Sequence, residues 1–424
     1  MHWLLGCQPN SPFHSLCKEL GILKNNRFQI LKEFSSFLNE KTGQKLVVTF
    51  DLKRLANDMK TMAPEDEKII DEFIAGCHIM QGVFHAPKPE LVEFLKDYNM
   101  PVVEFAKSFK NHYLRWYITH MMVPQMPTYA MLFTLGLLAD GQLGLVEGGS
   151  LNFSLAIAQY YQDLQGEITY GARVEEILVK NSTVIGIRLA DGSEHRADVV
   201  VSAADGFSTI FQMLGGKYVD QSIRERYAQW PIFWPIHLIS FGVARQFPNE
   251  PPVKKILLKE PIHTGVQDTD NFRLRIFNYD PSLAPEGKTV VQVLLDTDFD
   301  HWYHLQENRA LYEAAKAKLA HDVLRRLETL YPGISSQVEI TDVATPYTFW
   351  RYTRNHRGSF EGWLPTPEAM RTTIPKTLPG LANFYMVGQW VQPAGGIEQS
   401  ISSGRNLVKT LCEQEAMEFS TVKP

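Results

Sequence analysis

Phe384-Tyr385-Met386-Val387-Gly388-Gln389-Trp390-Val391-Gln392-Pro393-Ala394-Gly395-Gly396-Ile397-Glu398-Gln399-Ser400 reads as a short apolar strand, a glycine loop and the start of a helix. The helix runs on through Ser403-Gly404-Arg405 to Cys412. The first turn of a helix leaves backbone N–H groups unpaired and carries the positive end of the helix dipole, so such a start gathers an anion. Glycines let that anion come close to the backbone. On its own the stretch suits two readings, a phosphate-holding loop or an ordinary strand-to-helix connection with a glycine turn.

Working outward, the region from Gly148 to Asp205 is the most legible. Gly148-Gly149 reads as a turn with Ser150 as helix N-cap, and Leu151, Leu155, Ala158 and Tyr161 recur on one face until Gly166. Glu167–Tyr170 reads as a short strand, Val174–Lys180 and Thr183–Leu189 as a two-stranded meander, and Asp191-Gly192 as a hairpin-type turn. Ala197–Ala203, with Val199, Val200 and Val201, predicts a central strand buried on both faces. Beyond Gly206, strands are expected at Ile236–Ala244, Phe272–Phe277, Thr289–Leu295 and Gln337–Val343. Among them lies a long helix with Tyr312, Ala315, Leu319, Val323, Leu327 and Leu330 on one face and Pro332-Gly333 as its stop. That order predicts a second domain of α+β type. Ser11–Lys110, with Phe28, Leu31, Phe34 and Leu38 at helical spacing, predicts several short helices. Tyr113–Leu145, rich in Met, Tyr, Phe and Leu, suits a buried helix pair or a lipid-binding surface.

The 424 residues are 44% hydrophobic and 21% charged, which excludes a disordered, collagenous or disulfide-stapled chain. A formal charge of −5 argues against a nucleic-acid partner held by electrostatics. The four cysteines, Cys7, Cys17, Cys77 and Cys412, form no CxxC pair and no metal spacing, which fits a reducing cytoplasm. The longest apolar candidate, Trp230–Ala244, is interrupted by Pro231, Pro235 and His237 and falls short of the ~20 residues a bilayer span needs. The opening MHWLLGCQPN lacks the pattern of a secretory signal, and Trp3, Leu4 and Leu5 call for burial.

Three further constellations are weak. Asp296, Asp298, Asp300 and Glu307 stand at calcium-loop positions, but His301 replaces the required glycine. His301, His304 and His321 form no zinc set, so no metal is expected. No nucleophile serine with a matching His and acid is visible. Trp230-Pro231-Ile232-Phe233-Trp234-Pro235-Ile236 suits either a domain core or the wall of a tunnel for a long apolar ligand, with Tyr113–Phe133 as the opposite wall.

Taken together, the Gly148-Gly149 helix, the Val174 meander, the Val199–Asp205 strand and the C-terminal glycine loop resemble the phytoene desaturase and carotenoid isomerase group within the amine-oxidase-like flavoproteins. Further matches in order are Tyr331-Pro332-Gly333, Thr345-Pro346-Tyr347-Thr348, Arg351-Tyr352-Thr353 and Gly358-Ser359-Phe360-Glu361-Gly362-Trp363, so the resemblance covers most of the chain. It implies an α/β fold, with residues 1–20, 148–206 and 375–424 forming a discontinuous, incomplete Rossmann-like FAD domain. Residues 21–147 and 207–374 then form an inserted α+β substrate domain.

The resemblance further implies FAD with its adenine at Val174, Ala203 and Ala204, and its pyrophosphate and ribityl chain at Gly388, Gln389, Gly395, Gly396 and Ile397. His2, Trp3 and Trp363 would lie nearest the flavin ring, and Trp230, Phe233 and Trp234 would line the substrate tunnel. The implied reaction is desaturation, saturation or cis–trans isomerisation of carbon–carbon double bonds in an isoprenoid or polyene, with no catalytic acid or base assigned. An apolar substrate of this kind implies a cytoplasmic protein touching a membrane surface. The wider superfamily also contains prenyl carriers without flavin redox chemistry and amine oxidases.

Two departures stand out. Gln389 occupies the place where many relatives carry an acid. The strand, GxGxxG turn and helix with which such enzymes begin do not precede Met1, and Gly141-Gln142-Leu143-Gly144 does not replace them. The expectation is therefore a fragment, a wrongly started gene model or a degenerate homologue, with an upstream reading frame that encodes the unit.

Overall fold

The structure, a computed structural model, describes residues 3–84 and 89–421. It is a mixed α/β chain that divides into two compact units, Met1–Ile157 with Ile236–Pro346, and Ala158–Pro235 with Tyr347–Pro424.

The first unit is built on a seven-stranded sheet. Its order is Val338–Ala344, Ile236–Val243, Thr289–Asp296, Asp268–Ile276, Val253–His263, Glu33–Asn39, Lys45–Thr49. All neighbours are antiparallel except Val253–His263 against Glu33–Asn39. Alternation puts Ile239, Phe241, Val243, Phe272, Leu274, Val291 and Val293 into one core, which the Arg309–Leu330 helix closes with Leu319, Val323 and Leu327. Burying each such side chain contributes roughly 1.5–3 kcal/mol. A second cluster gathers helices Leu52–Met62, Glu67–Met80, His112–Met121 and Thr128–Ala139 with Phe37, Leu46 and Val48. Gly136 permits this packing, since a Cβ there would lie 2.9 Å from the Cys77 carbonyl oxygen. The helix pair expected between Tyr113 and Leu145 is present and buried, although Leu143 already belongs to the Leu143–Val146 strand.

Several expectations are corrected. Phe28, Leu31, Phe34 and Leu38 do not share a helix. Phe28–Ile30, Glu33–Asn39 and Lys45–Thr49 are strands, the last two joined around Gly43 at φ 72°. Helical spacing arose by coincidence, and the β-branched Val47-Val48-Thr49 of the partner strand decided the outcome. Asp298 is no calcium ligand, because its carboxylate accepts from the His301 N–H at 2.8 Å as N-cap of the Phe299–Leu305 helix, and Asp296 pairs with Arg273. Asp298→Ala should therefore cost about 1 kcal/mol in thermal or denaturant unfolding and leave calcium binding unchanged in a titration. None of the four cysteines forms a disulfide among the described residues.

His237 faces the sheet core at 0% exposure, its Nε2–H donating to the Thr264 carbonyl at 3.1 Å and its ring edge-on to Trp302 at 4.7 Å. Burial pushes its pKa down to about 4. The unfolded chain then binds the proton that the folded one refuses, so stability is full above pH ~6.5 and falls as pH drops toward ~4, by roughly 3 kcal/mol at most. Chemical unfolding across that window should show the loss in the native protein and a weaker slope in His237→Gln.

The second unit holds a three-stranded meander, Val174–Lys180, Thr183–Leu189 and Glu194–Arg196, one strand more than expected. Beside it lies a parallel pair, Val200–Ser202 with Phe384–Met386. Glu167–Tyr170 is no strand: it lies between Gln165 at φ 68° and Gly171 at φ 72° with no strand partner. Val200–Ser202 is not buried on both faces either, as Val201 stays 44% exposed. On the Gly149–Asp163 helix the Leu151, Leu155 and Tyr161 stripe lies outward, with Leu151 70% exposed and Phe153 the buried residue, and Ser150 lies inside the helix instead of capping it. The core of this unit is aromatic, with Trp363, Phe384 and Trp390 packed on Ile177, Val184, Ile210 and Leu381.

Candidate functional site

The site grows from the parallel pair. Phe384, Tyr385 and Met386 lie in register with Val200, Val201 and Ser202, and the Val387 N–H donates to the Ser202 carbonyl at 2.9 Å. Both strands thus deliver their carboxyl ends to one place, the end of a parallel sheet at which ligands bind. From one emerge Ala203 and Ala204, both exposed, and from the other Gly388. A Cβ on Gly388 would lie 4.0 Å from the Ala203 carbonyl oxygen, and the Gly388 N–H donates to Ser403 Oγ at 3.1 Å, which ties the loop to the helix that follows it. Thr183 bridges Ala382 in parallel, so Thr183–Leu189 runs the same way as Phe384–Met386 and carries Val174, the partner of Leu189, at its far end.

The loop ends where the Gly396–Gln414 helix begins. Gly395 takes φ 59° and ψ −160°, a glycine conformation, and no side chain caps the helix start. A Cβ on Gly395 would stand 2.5 Å from the Glu361 carbonyl oxygen, whereas one on Gly396, at φ 83°, would meet nothing within 4 Å. One glycine permits tight packing behind the loop and the next leaves its front open. Ile397 and Glu398 complete the first helical turn. Gln389 is half-buried and packs against Gly362.

Behind the loop stands a brace that sequence reasoning missed. Asp205, 2% exposed, accepts from the Ser208 N–H at 2.7 Å and the His356 N–H at 2.8 Å, and burial pushes its pKa up. This pins the turn containing Arg354 (φ 58°) and Arg357 (φ 51°) to the end of the Val200–Ser202 strand. The chain then runs through Ser359, whose hydroxyl bonds both the carbonyl and the N–H of Gly362 at 3.1 Å, to Trp363. Trp363 Nε1–H donates to the Trp390 carbonyl at 3.0 Å, and the two rings meet edge-on at 5.1 Å. Tyr227 and Trp230 also pack on Trp363, at 4.9 Å and 5.7 Å. His356 lies against Phe207, and burial lowers its pKa to about 4. The available signal was a lone acid, Asp205, directly after an apolar strand and before a glycine.

The remaining candidates are placed as follows. Trp363, 1% exposed, lies within the aromatic core and reaches the loop through Trp390. Phe233 is buried against Phe360 at 5.2 Å, Trp230 receives Arg226 over its ring, and Trp234 tilts against Phe233 with its buried Nε1 unbonded among the described residues. Trp3 belongs to the other unit, edge-on to Phe34 at 5.1 Å. His2 lies outside the described residues. The carboxyl-end crevice, the uncapped helix start and the open front of Gly396 fit the phosphate and ribityl part of a dinucleotide; a GxGxxG turn is not among the described residues. No helix among them is long and apolar enough to cross a membrane, and no cluster of His, Cys, Asp or Glu among them could hold a metal.

Comparison with known proteins is consistent with this geometry. Residues 1–411 match the profile of the family described as flavin containing amine oxidoreductase. The chain is similar to the chloroplastic prolycopene isomerase of Arabidopsis thaliana, 28% identical over 272 residues, covering 62% of this chain and 44% of that protein. It is also similar to the lycopene-forming phytoene desaturase of Pseudescherichia vulneris, 28% identical over 284 residues, covering 63% of this chain and 56% of that one. The chain thus spans about half the length of these relatives. Among solved structures, an oxidoreductase from Methanosarcina mazei shares the fold with a TM-score of 0.61 at 15% identity, covering 96% of this chain and 87% of that one.

Proposed function

Because this chain belongs to the flavin-containing amine oxidoreductases, we propose that it is an FAD-dependent oxidoreductase acting on carbon–carbon double bonds of a long apolar isoprenoid or polyene. FAD is the cofactor that membership implies. The observation that carries the reading is the meeting of Ala203–Ala204 with Gly388 at the carboxyl ends of one parallel pair, before an uncapped helix start. In this reading Val174, Ala203 and Ala204 hold the adenine side. Gly388, Gln389, Gly395, Gly396 and Ile397 hold the diphosphate and ribityl side.

FAD when bound supplies the two-electron chemistry, and the chain supplies position and dryness. The helix start offers N–H groups to phosphate oxygens. Gln389, uncharged, offers an amide to a ribityl hydroxyl without adding charge. Trp363 and Trp390 keep water away from the back of the loop. Residues 1–20, 148–206 and 375–424 would form the cofactor domain and the rest the substrate domain, a functional division that the compact units do not follow. The similarity to a prolycopene isomerase and a phytoene desaturase supports the polyene. An apolar polyene resides in bilayers, so this reading includes contact with a membrane surface through the Trp230–Ile236 run or the Met-rich Tyr113–Phe133 region.

The test presents FAD-supplemented protein with a polyene dissolved in liposomes and, separately, with primary amines, and follows products by chromatography. A change in the polyene's number or geometry of double bonds supports the reading. Amine oxidation with peroxide release and an unchanged polyene would replace it with an amine oxidase.

A further inference from the structure

Three of the chain's eight tryptophans touch in sequence through the second unit. Trp390 follows Gln389 in the cofactor loop and is buried. Its ring meets the buried Trp363 edge-on at 5.1 Å, and Trp363 meets Trp230 edge-on at 5.7 Å. Trp230 is half-buried at the end of the Gln221–Gln229 helix, so the path leads from the loop to solvent. Centroids at these distances bring indole edges into contact, close enough for an electron to pass directly from ring to ring. The Trp363 Nε1–H bond to the Trp390 carbonyl, at 3.0 Å, adds a bonded route between the first two rings.

An indole can give up one electron and keep its proton. Trp363 Nε1–H donates to a backbone carbonyl and Trp390 Nε1–H to the Asn355 amide oxygen at 3.5 Å, and neither acceptor is basic enough to take that proton. An electron vacancy therefore stays mobile on these two rings. Tyr227 lies 4.9 Å from Trp363 and 6.3 Å from Trp390, but a phenol is oxidised with loss of its proton, and burial beside the Asp205 carboxylate holds that proton in place. Trp230 differs from the inner pair. The Arg226 guanidinium sits over its ring at 5.4 Å and disfavours positive charge on the indole, while solvent is at hand to accept the proton. The vacancy ends there as a neutral radical, on the ring of the three that a small molecule can reach.

We propose that Trp390, Trp363 and Trp230 form an electron relay that carries one-electron oxidising equivalents from the cofactor loop to the protein surface. The proposal rests on the flavin reading, with the light-excited flavin as oxidant. Trp390 gives it one electron and takes one from Trp363, and Trp363 takes one from Trp230. Trp230 releases its indole proton to water and then recovers an electron and a proton from a small reductant such as ascorbate. The flavin is reduced, the ascorbate is oxidised and no tryptophan is consumed.

The test illuminates the full chain with blue light, without oxygen, in the presence of ascorbate and with protein in excess so that all FAD is bound. Loss of the oxidised flavin's absorbance is timed, and FAD affinity is measured separately in the dark. Trp363→Phe should slow photoreduction at least tenfold at unchanged FAD affinity. Trp230→Phe, at the half-buried end and away from the loop, should slow it as much and keeps the test free of any loss of fold. Equal rates in both variants and the native chain overturn the relay and leave the flavin reading standing. A native rate in Trp230→Phe alone overturns the path to the surface. Absence of FAD binding by the native chain overturns the relay and the flavin reading together.

Discussion

Gly396→Glu should lower FAD affinity by roughly two orders of magnitude while far-UV circular dichroism and the unfolding temperature change little. A Cβ at this position meets nothing within 4 Å, so the side chain enters without collision. The backbone at φ 83° costs a non-glycine residue about 1–2 kcal/mol. The larger effect is charge. A carboxylate some 4–5 Å from a phosphate oxygen at an effective dielectric near 20 is repelled by roughly 3–4 kcal/mol, and the helix start it would occupy is the surface offered to that phosphate. Gly396→Ala carries the same backbone strain without the charge and should keep most of the flavin, so comparing the two isolates electrostatics. Equal FAD affinity in Gly396→Glu and the native chain would move the phosphate away from this helix.

Trp363→Ala should destabilise the unit it belongs to by about 3–5 kcal/mol. The indole packs among Tyr227, Trp230 and Trp390, and its removal also leaves the Trp390 carbonyl without its donor. Trp363→Phe keeps much of the packing and loses the bond, and should cost about 1–3 kcal/mol. Denaturant unfolding read by tryptophan fluorescence measures both. Because the ring braces the loop from behind, the alanine variant should also bind FAD less well. A variant with native stability would mean that the aromatic core holds the loop through other contacts.

Local pattern made the cofactor side of the fold legible. A glycine loop between a strand and a helix, two alternating runs with a turn, and an apolar strand ending in small residues were recognisable because each is decided within a dozen residues. What depended on distant partners was not. Phe28, Leu31, Phe34 and Leu38 show helical spacing, yet the Lys45–Thr49 strand claims the region, and a strand at Val253–His263 escaped notice because its buried Ile256, Leu257 and Leu258 form only a short run between Lys254-Lys255 and Lys259-Glu260. The Leu151, Leu155 and Tyr161 stripe marked a helix correctly and yet lies exposed, since periodicity reports a face and not what covers it. Asp205 was invisible as a brace because its partner, the His356 N–H, lies 151 residues away.

Titrating the native chain with FAD, following quenching of the tryptophan fluorescence, to which Trp363 and Trp390 behind the loop contribute, together with the flavin's own absorbance, tests the central claim most directly. The account predicts saturable quenching with a flavin spectrum shifted from that of free FAD, as expected for a ring moved out of water. Fluorescence that falls only in proportion to added FAD, with an unshifted flavin spectrum, would contradict it.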